Sequence, residues 1–411
     1  MNPTEIAERF GTPAYVYDLD AIRRAHADLR RGLPDEAVLY YSLKANPHPG
    51  VVAELLDLGC RAEVSSPGEV RAALGAGADP SDLLLTGPGK TEEVVAHALD
   101  CGVTRFSVES PRDLERVDSL AADRDLAVDC LLRVNADEPA PGVGLAMTGV
   151  SSQFGADASW VAREPGRFRG EGAAQVTGLH LYMGTNLVSE DVLVKQFEVG
   201  ARLAERLGDL LGGVAEVDLG GGFGAPFGRA GARPQLPGLA ARVAGLLDDR
   251  LPGWRRAAPQ VAFESGRYLV ADSGTLVSRV VDVKESKGEV FVVLDTGINH
   301  LGGMAGLRRI PRILPDVAPL EGDADPRESV LAGPLCTPLD VFGRGADLPR
   351  LEAGELVAIP NVGAYGLTAS LVAFLGFDPP AEVILDGEEV VSASRLVLGR
   401  APVAARERVE A

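Results

Sequence analysis

Lysine is scarce in this chain. Of 40 basic residues only Lys44, Lys90, Lys195, Lys284 and Lys287 are lysine, and the rest are arginine. Cysteine is equally sparse. Cys60, Cys101, Cys130 and Cys336 stand far apart with no Cys-x-x-Cys pair. That spacing argues against a structural zinc site or a disulfide framework and fits a reduced, cytoplasmic protein; no metal is expected. No stretch reaches the roughly 18 apolar residues that a membrane helix needs. The opening MNPTEIAERFGTP lacks an apolar segment of signal-peptide length. Positive charge is also in deficit, with 59 acidic residues against 40 basic and a net charge of −19. Non-specific binding to nucleic acid is therefore excluded as a function, because polyphosphate is repelled.

What is present is ordinary globular material: 411 residues, 46% hydrophobic and 24% charged. Length alone suggests about two or three domains, although one α/β barrel can take about 250 residues. Eight short apolar runs alternate with amphipathic segments. They are Ala37–Leu43, Arg61–Ser66, Leu83–Pro88, Arg105–Ser110, Leu126–Asn135, Val176–Gly184, Glu216–Gly222 and Gln260–Gly266. The segments between them, such as PGEVRAALGAG and VLVKQFEVGARLAERLG, place apolar residues at helical spacing. This rhythm predicts a (β/α)8 barrel over residues 28–273. Ala136–Gly170, rich in Gly, Pro, Ser and Asp, is expected to be a long functional loop. From about Ser273 the helical pattern stops, and short alternating runs predict an antiparallel β domain over residues 274–405. Residues 1–27, with the strand-like Ala14–Asp18, are expected to join it. The final ARERVEA is expected to be a solvated tail.

Barrels carry their chemistry at the C-terminal ends of the strands. The first run ends in YYSLKAN and so places Lys44 at the mouth, where a lysine in a partly dry pocket can attack a carbonyl. The sixth ends in GLHLYMGTN, with His180 in the strand and Asn186 in the loop. The seventh ends in DLGGGFG, where Gly220, Gly221 and Gly222 let backbone approach an anion. The eighth ends in FESGR, with Glu264 facing the mouth and Arg267 just beyond. The β domain adds Cys336 and Asp340 in GPLCTPLD and Tyr365 in VGAYG. Each feature has a structural explanation when taken alone: a snorkelling lysine, a core histidine, a tight turn, an ion pair, a packed cysteine. Together, a carbonyl-trapping lysine, a phosphate-binding turn and a carboxylate on one rim suit pyridoxal 5'-phosphate.

The motif series YYSLKAN, AEVSSPGE, GLHLYMGT, VDLGGGFG, FESGR, GPLCTPLD and VGAYG resembles the fold type III decarboxylases that use this cofactor. These are the diaminopimelate, ornithine and arginine decarboxylases and their relatives. The resemblance runs from about Thr12 to Gly399 and implies an alanine racemase-like barrel followed by a β-barrel or sandwich domain. It implies Lys44 as the aldimine lysine and His180 as the residue stacked on the ring. It gives the phosphate to Gly221, Gly222, Arg267 and Tyr365, and the ring nitrogen to Glu264. It makes Cys336 a proton donor reaching the site from the second subunit of a homodimer.

Three departures bear on the substrate. Thr337 follows Cys336 where the ornithine and diaminopimelate enzymes carry an acid for the distal ammonium. Asp295-Thr296-Gly297 is followed by no basic residue until Arg308, so an expected partner for a distal carboxylate is missing. Ser265 replaces the usual proline of the Glu-Pro-Gly-Arg motif. The pattern resembles members from secondary metabolism, acting on a siderophore intermediate or a carrier-protein-bound aminoacyl group. Thr337, Asp340, Asn299, His300, Asn186 and the 136–170 loop are then the candidate substrate contacts, and Arg308-Arg309 a basic patch for a carrier. The alternatives are a diaminopimelate decarboxylase of lysine biosynthesis, an amino-acid racemase, which Glu264 disfavours, and a non-catalytic relative that regulates or buffers cofactor.

Overall fold

The computed structural model describes residues 2–137, 148–302, 315–320 and 326–403. In chain order its strands are β1 (Ala14–Asp18), β2 (Val38–Ser42), β3 (Arg61–Val64), β4 (Leu83–Leu85), β5 (Arg105–Val108), β6 (Val128–Asn135), β7 (Ala156–Asp157), β8 (Ala174–His180), β9 (Glu216–Asp218) and β10 (Gln260–Ser265). They continue with β11 (Gly274–Ser286), β12 (Glu289–Leu294), β13 (Ala318–Pro319), β14 (Pro326–Ala332), β15 (Val341–Pro349), β16 (Leu356–Ile359), β17 (Ala381–Asp386) and β18 (Glu389–Arg395).

The eight strands expected from the apolar runs form one closed parallel barrel in the order β2-β3-β4-β5-β6-β8-β9-β10, with β10 returning to β2. Short polar signals start the intervening helices. Ser66 and Ser110 cap Pro67–Gly75 and Pro111–Ala122, their hydroxyls accepting the Glu69 and Asp113 N–H groups, and proline takes the first turn. Apolar faces of these helices, such as Val51, Val52 and Leu55 or Leu193, Phe197 and Leu207, pack into the main core outside the barrel wall. Inside the barrel a small layer of Tyr40, Leu84, Leu131 and Ala262 is fully buried. Arg105, Glu216 and the Tyr40 hydroxyl bond to one another inside the barrel. The barrel is therefore a packed core with its openings only at the strand ends.

The 136–170 segment is more structured than expected. It holds β7 beside β6, the helix Ala158–Arg163 and a 3-10 turn at Pro165–Phe168. Apolar Ala158, Val161 and Phe168 anchor it to the core, a signal hidden by its Gly, Pro and Ser content. Residues 138–147, the Arg308-Arg309 pair and the ARERVEA tail lie outside the described residues.

The remaining strands form a second sheet in the order β15-β14-β12-β11-β1-β17-β18, with β16 on β11 and β13 on β16. β1 does join this sheet, between β11 and β17. The sheet is mixed where an antiparallel one was expected. β1 runs parallel to β17, and β12 parallel to β14. Both pairs are joined by long stretches of chain rather than hairpins, so no tight turn imposes antiparallel direction.

The joint between barrel and sheet carries a buried carboxyl. Tyr17 Oη donates to Glu382 Oε1 at 3.0 Å, and the ring of His48 lies 5.8 Å from that of Tyr17. His48 caps the helix Pro49–Asp57 and meets Ser394 Oγ at 3.2 Å. Burial pushes the Glu382 carboxyl up to about 7, only partly offset by the Tyr17 hydroxyl. A raised folded-state pKa means that the folded protein holds the proton more tightly than the unfolded chain. The associated stability is complete below about pH 4.5 and is lost as pH rises through 7, by roughly 3 kcal/mol at most. Glu382→Gln is expected to be more stable than the parent above pH 7 and to flatten this slope, read by thermal unfolding at pH 5 and 8. Equal slopes in parent and variant would exclude Glu382 as its source.

Candidate active site

The mouth of the barrel gathers three acids, a lysine and a histidine from separate strands. Lys44 follows β2 in the turn Leu43–Ala45. Its Nζ lies 3.1 Å from both carboxylate oxygens of Glu63 at the end of β3. The lysine is ringed by protein yet keeps 42% of its side-chain surface accessible, because it stands in an open cleft; Glu63 keeps 2%. Burial alone would lower the Lys44 amine, but Glu63 and then Glu264 outweigh it and hold the amine protonated, well above the ordinary lysine range. Burial would likewise raise Glu63, and Lys44 with the Ser42 and Thr86 hydroxyls holds it low. Thr86 Oγ1 donates to Glu63 Oε1 at 2.7 Å. The resting pair is thus ammonium and carboxylate.

Across the mouth, His180 at the end of β8 is buried. Its Nδ1 meets Ser107 Oγ at 2.8 Å and its Nε2 lies 3.1 Å from Glu264 Oε1. Asp218 at the end of β9 is completely buried beside them. Ligand atoms of His180, Asp218 and Glu264 all fall within 4.8 Å of one another.

Next to this cluster the glycine turn follows β9. Gly220 and Gly222 have φ of 66° and 93°, a region that favours glycine. A Cβ on Gly221 would run into the main-chain carbonyl of Glu264. Gln196 Nε2 donates to the Gly221 carbonyl at 2.5 Å, and the Leu187 N–H to that of Gly222 at 2.8 Å.

The β domain closes the other side. The Tyr365 N–H donates to the Ala45 carbonyl at 2.7 Å, and Asn46 Nδ2 donates to the Gly363 carbonyl at 2.9 Å. The Arg267 guanidinium lies 4.7 Å above the Tyr365 ring. Lys44, Arg267 and Tyr365 are therefore tied to one corner by main-chain bonds and a cation–π contact.

Buried polar atoms at this mouth without a hydrogen-bond partner include Asp218 Oδ2, Ser265 Oγ and Arg267 Nε, together with His180 Nε2 and Glu264 Oε1, which face each other at 3.1 Å without forming a hydrogen bond. Orphaned buried groups normally mean that something else satisfies them. Their chemistry, a cation over the Tyr365 ring, a hydroxyl next to Glu264 and carboxylates across the mouth from an amine, fits a group with a phosphate at one end, a basic ring nitrogen at another and an aldehyde between.

The expected substrate contacts fare differently. Asp340 anchors the loop. Its oxygens accept the Ile298 and Leu335 N–H groups at 2.8 and 2.7 Å, and the carboxylate fills the space a side chain would need at Gly297 and Gly333. Asn299 and His300 are buried, Asn299 Nδ2 meeting His300 Nε2 at 3.0 Å while the His300 carbonyl accepts the Tyr15 hydroxyl. Burial lowers the His300 imidazole to about 4, so it is neutral. Asn186 is exposed with φ of 56°, its Oδ1 accepting the Ala225 N–H at 3.3 Å, which makes it a turn residue. Cys336 is exposed and Thr337 half-buried on the loop between β14 and β15, where Thr337 Oγ1 accepts the Leu339 N–H. Among the described residues no hydrogen bond or ion pair joins Cys336 or Thr337 to the Lys44 cluster. Sequence reasoning gave no role to Glu63 or Asp218. Both are acids inside short apolar strands, a placement rare enough to have flagged them.

Residues 19–271 match the family model described as the pyridoxal-dependent decarboxylase, pyridoxal binding domain. The L-glutamyl-[BtrI acyl-carrier protein] decarboxylase of Niallia circulans is 32% identical over 389 residues, covering 93% of this chain and 90% of the relative. A diaminopimelate decarboxylase of Pseudomonas aeruginosa is 33% identical over 390 residues, covering 94% and 90%. The crystal structure of diaminopimelate decarboxylase from Helicobacter pylori complexed with L-lysine shares the fold, with a TM-score of 0.82 at 24% identity and 95% of each chain covered.

Proposed function

This chain belongs to the pyridoxal-dependent decarboxylases, and from that premise we propose that its substrate is an amino-acid conjugate without a free distal ammonium. The leading candidate is a glutamyl group borne on a carrier protein. The observation that carries this reading is Thr337 beside Cys336. A hydroxyl cannot neutralise an ammonium, and an unpaired buried charge is costly. The lack of a basic residue between Gly297 and Arg308 argues in the same direction. The Niallia relative, named for a carrier-borne glutamyl substrate, supports it; the Pseudomonas relative keeps diaminopimelate as the competing reading.

Bound pyridoxal phosphate supplies an aldehyde for the substrate amine and an electron-poor ring that accepts the pair left when the Cα–carboxylate bond breaks. The residues divide the remaining work. Lys44 would hold the aldehyde end and is placed to keep a proton near Cα; Glu63 stabilises its charged form. Glu264 would hold the ring nitrogen's proton, and His180 would lie against the ring. Gly220–Gly222, Ser265, Arg267 and Tyr365 would take the phosphate. Cys336 donates a proton to Cα from the second protomer of a homodimer. The exposed apolar Leu339, Leu371, Phe374, Leu375 and Phe377 support such a pairing, since water is a poor neighbour for that many large side chains. Among the described residues no helix is long and apolar enough to cross a membrane, and we place the enzyme in the cytoplasm.

The test is carbon dioxide release from cofactor-loaded protein. Glutamyl-carrier protein is expected to react, with free glutamate, meso-diaminopimelate, lysine, ornithine and arginine each at least about 100-fold slower, the scale on which a site rejects a group it cannot pair. Brisk turnover of meso-diaminopimelate would overturn the Thr337 argument.

A further inference from the structure

Two carboxylic acids share the dry floor of the site with no cation built between them. Asp218 is completely buried and Glu264 keeps 2% of its surface. Asp218 Oδ1 accepts the Gly220 N–H at 2.8 Å, but its Oδ2 has no hydrogen-bond partner; Glu264 Oε1 and His180 Nε2 face each other at 3.1 Å without forming a hydrogen bond. The surrounding charges are already committed. Glu216, on the same strand as Asp218, is paired with Arg105 of β5 and the Tyr40 hydroxyl of β2. Glu63 of β3 is paired with Lys44. Among the described residues, His180 of β8 is the titratable group whose ring nitrogen lies within 4.8 Å of both acids, and its Nδ1 is engaged by Ser107. Two like charges this close in a low dielectric cannot both persist.

We propose that Asp218 is a positioning residue that carries a proton, leaving Glu264 as the single anion of the floor. The inference rests on the reading of Glu264 as the partner of the ring nitrogen. A protonated Asp218 explains why both acids sit together. Its Oδ2–H can donate toward a carboxylate oxygen without adding charge, while Oδ1 stays fixed by the glycine turn. Burial first, and Glu264 second, also push the Asp218 carboxyl well above the ordinary range. The acid thereby links the glycine turn that faces the phosphate to the carboxylate that faces the ring nitrogen. It lets Glu264 hold its proton partner without competition from a second anion.

The experiment is infrared difference spectroscopy on the cofactor-loaded protein at pH 7. Parent minus Asp218→Asn is expected to show the carbonyl stretch of a protonated carboxylic acid. The pH midpoint of the bound cofactor's visible absorbance is expected to move by less than about half a unit, because asparagine also is neutral. Glu264→Gln replaces the charged acceptor by a neutral amide while burial keeps Asp218 protonated, so the same band is expected to persist but shift in frequency. No protonated-acid band lost in Asp218→Asn, or a midpoint shift of a full unit, would overturn the proposal and mean that a His180 imidazolium balances two carboxylates. If Asp218→Asn does not fold, the band in Glu264→Gln against the parent decides alone. A Glu264→Gln variant with unaltered cofactor absorbance would sink the reading of Glu264, while the band still decides Asp218.

Discussion

Replacing Lys44 with arginine is expected to cut decarboxylation by at least about 10³-fold while leaving the fold intact. Arginine keeps a cation against Glu63 but has no amine that can condense with an aldehyde or release a proton near neutral pH. Alanine at the same position would confuse two effects. It would strand the Glu63 carboxylate at 2% exposure, with only the Thr86 and Ser42 hydroxyls to hold it. Breaking a fully buried pair costs about 3–5 kcal/mol, and the 42% accessibility of Lys44 discounts that to about 2. Lys44→Ala should therefore lose both activity and several degrees of thermal stability, and Lys44→Arg activity alone. Borohydride reduction followed by mass spectrometry gives an independent readout. The parent is expected to carry the cofactor's mass on the peptide containing Lys44, and Lys44→Arg on none. With so few lysines in the chain the assignment is unambiguous, and a label on Lys90 or Lys195 in the parent would refute the role of Lys44.

Gly221→Ala is expected to be the most damaging single methyl in the barrel. The added carbon would collide with the main-chain carbonyl of Glu264, and neither side can yield. The Glu264 N–H donates to the Gly220 carbonyl at 2.9 Å, and the Gly221 carbonyl is held by Gln196. Overpacking against backbone costs about 1–3 kcal/mol or more. The displaced backbone also carries Glu264 and is the one proposed to take the phosphate, so cofactor affinity should fall at least about tenfold, equivalent to about 1.4 kcal/mol. Gly245→Ala is the matched control. That glycine lies within the helix Leu239–Arg250, where a Cβ meets nothing within 4 Å, and alanine should stabilise it by about 0.5–1 kcal/mol. Thermal unfolding and a cofactor titration of both variants check the pair. A Gly221→Ala protein as stable as Gly245→Ala would refute the close approach.

The barrel was legible because its strands are short apolar runs whose ends carry turn residues, and every one of the eight lies where those runs are. Lys44, Glu264, Arg267 and Tyr365 were legible for a related reason: each follows a strand or a Val-Gly turn at the rim, and the structure ties them to one mouth. The segment 136–170 was misjudged because its anchors, Ala158, Val161 and Phe168, are too widely spaced among polar residues to show a period. The anchoring role of Asp340 was hidden for the opposite reason. An acid near a candidate catalytic cysteine suggests substrate, yet two glycines at Gly297 and Gly333 leave it a pocket of backbone N–H groups. Glu63 and Asp218 went unseen because their meaning lies in pairs between strands that sequence order keeps apart. The direction of β1 against β17 was hidden likewise, since direction follows connection and the connection spans the whole barrel.

That placement of β1 has a consequence for biogenesis. Its neighbours in the sheet are Val277 and Ala381 against Ala14, so the first strand made waits for strands synthesised hundreds of residues later. Until they emerge, its backbone amides and carbonyls form a bare edge able to pair with another nascent chain. Contacts of such long sequence separation slow folding. An excised barrel ending near residue 273 would keep its closed cylinder yet expose Tyr15 and Tyr17 along an orphan strand, and the two halves of this enzyme are for that reason one unit to the ribosome, to chaperones and to anyone designing a truncation.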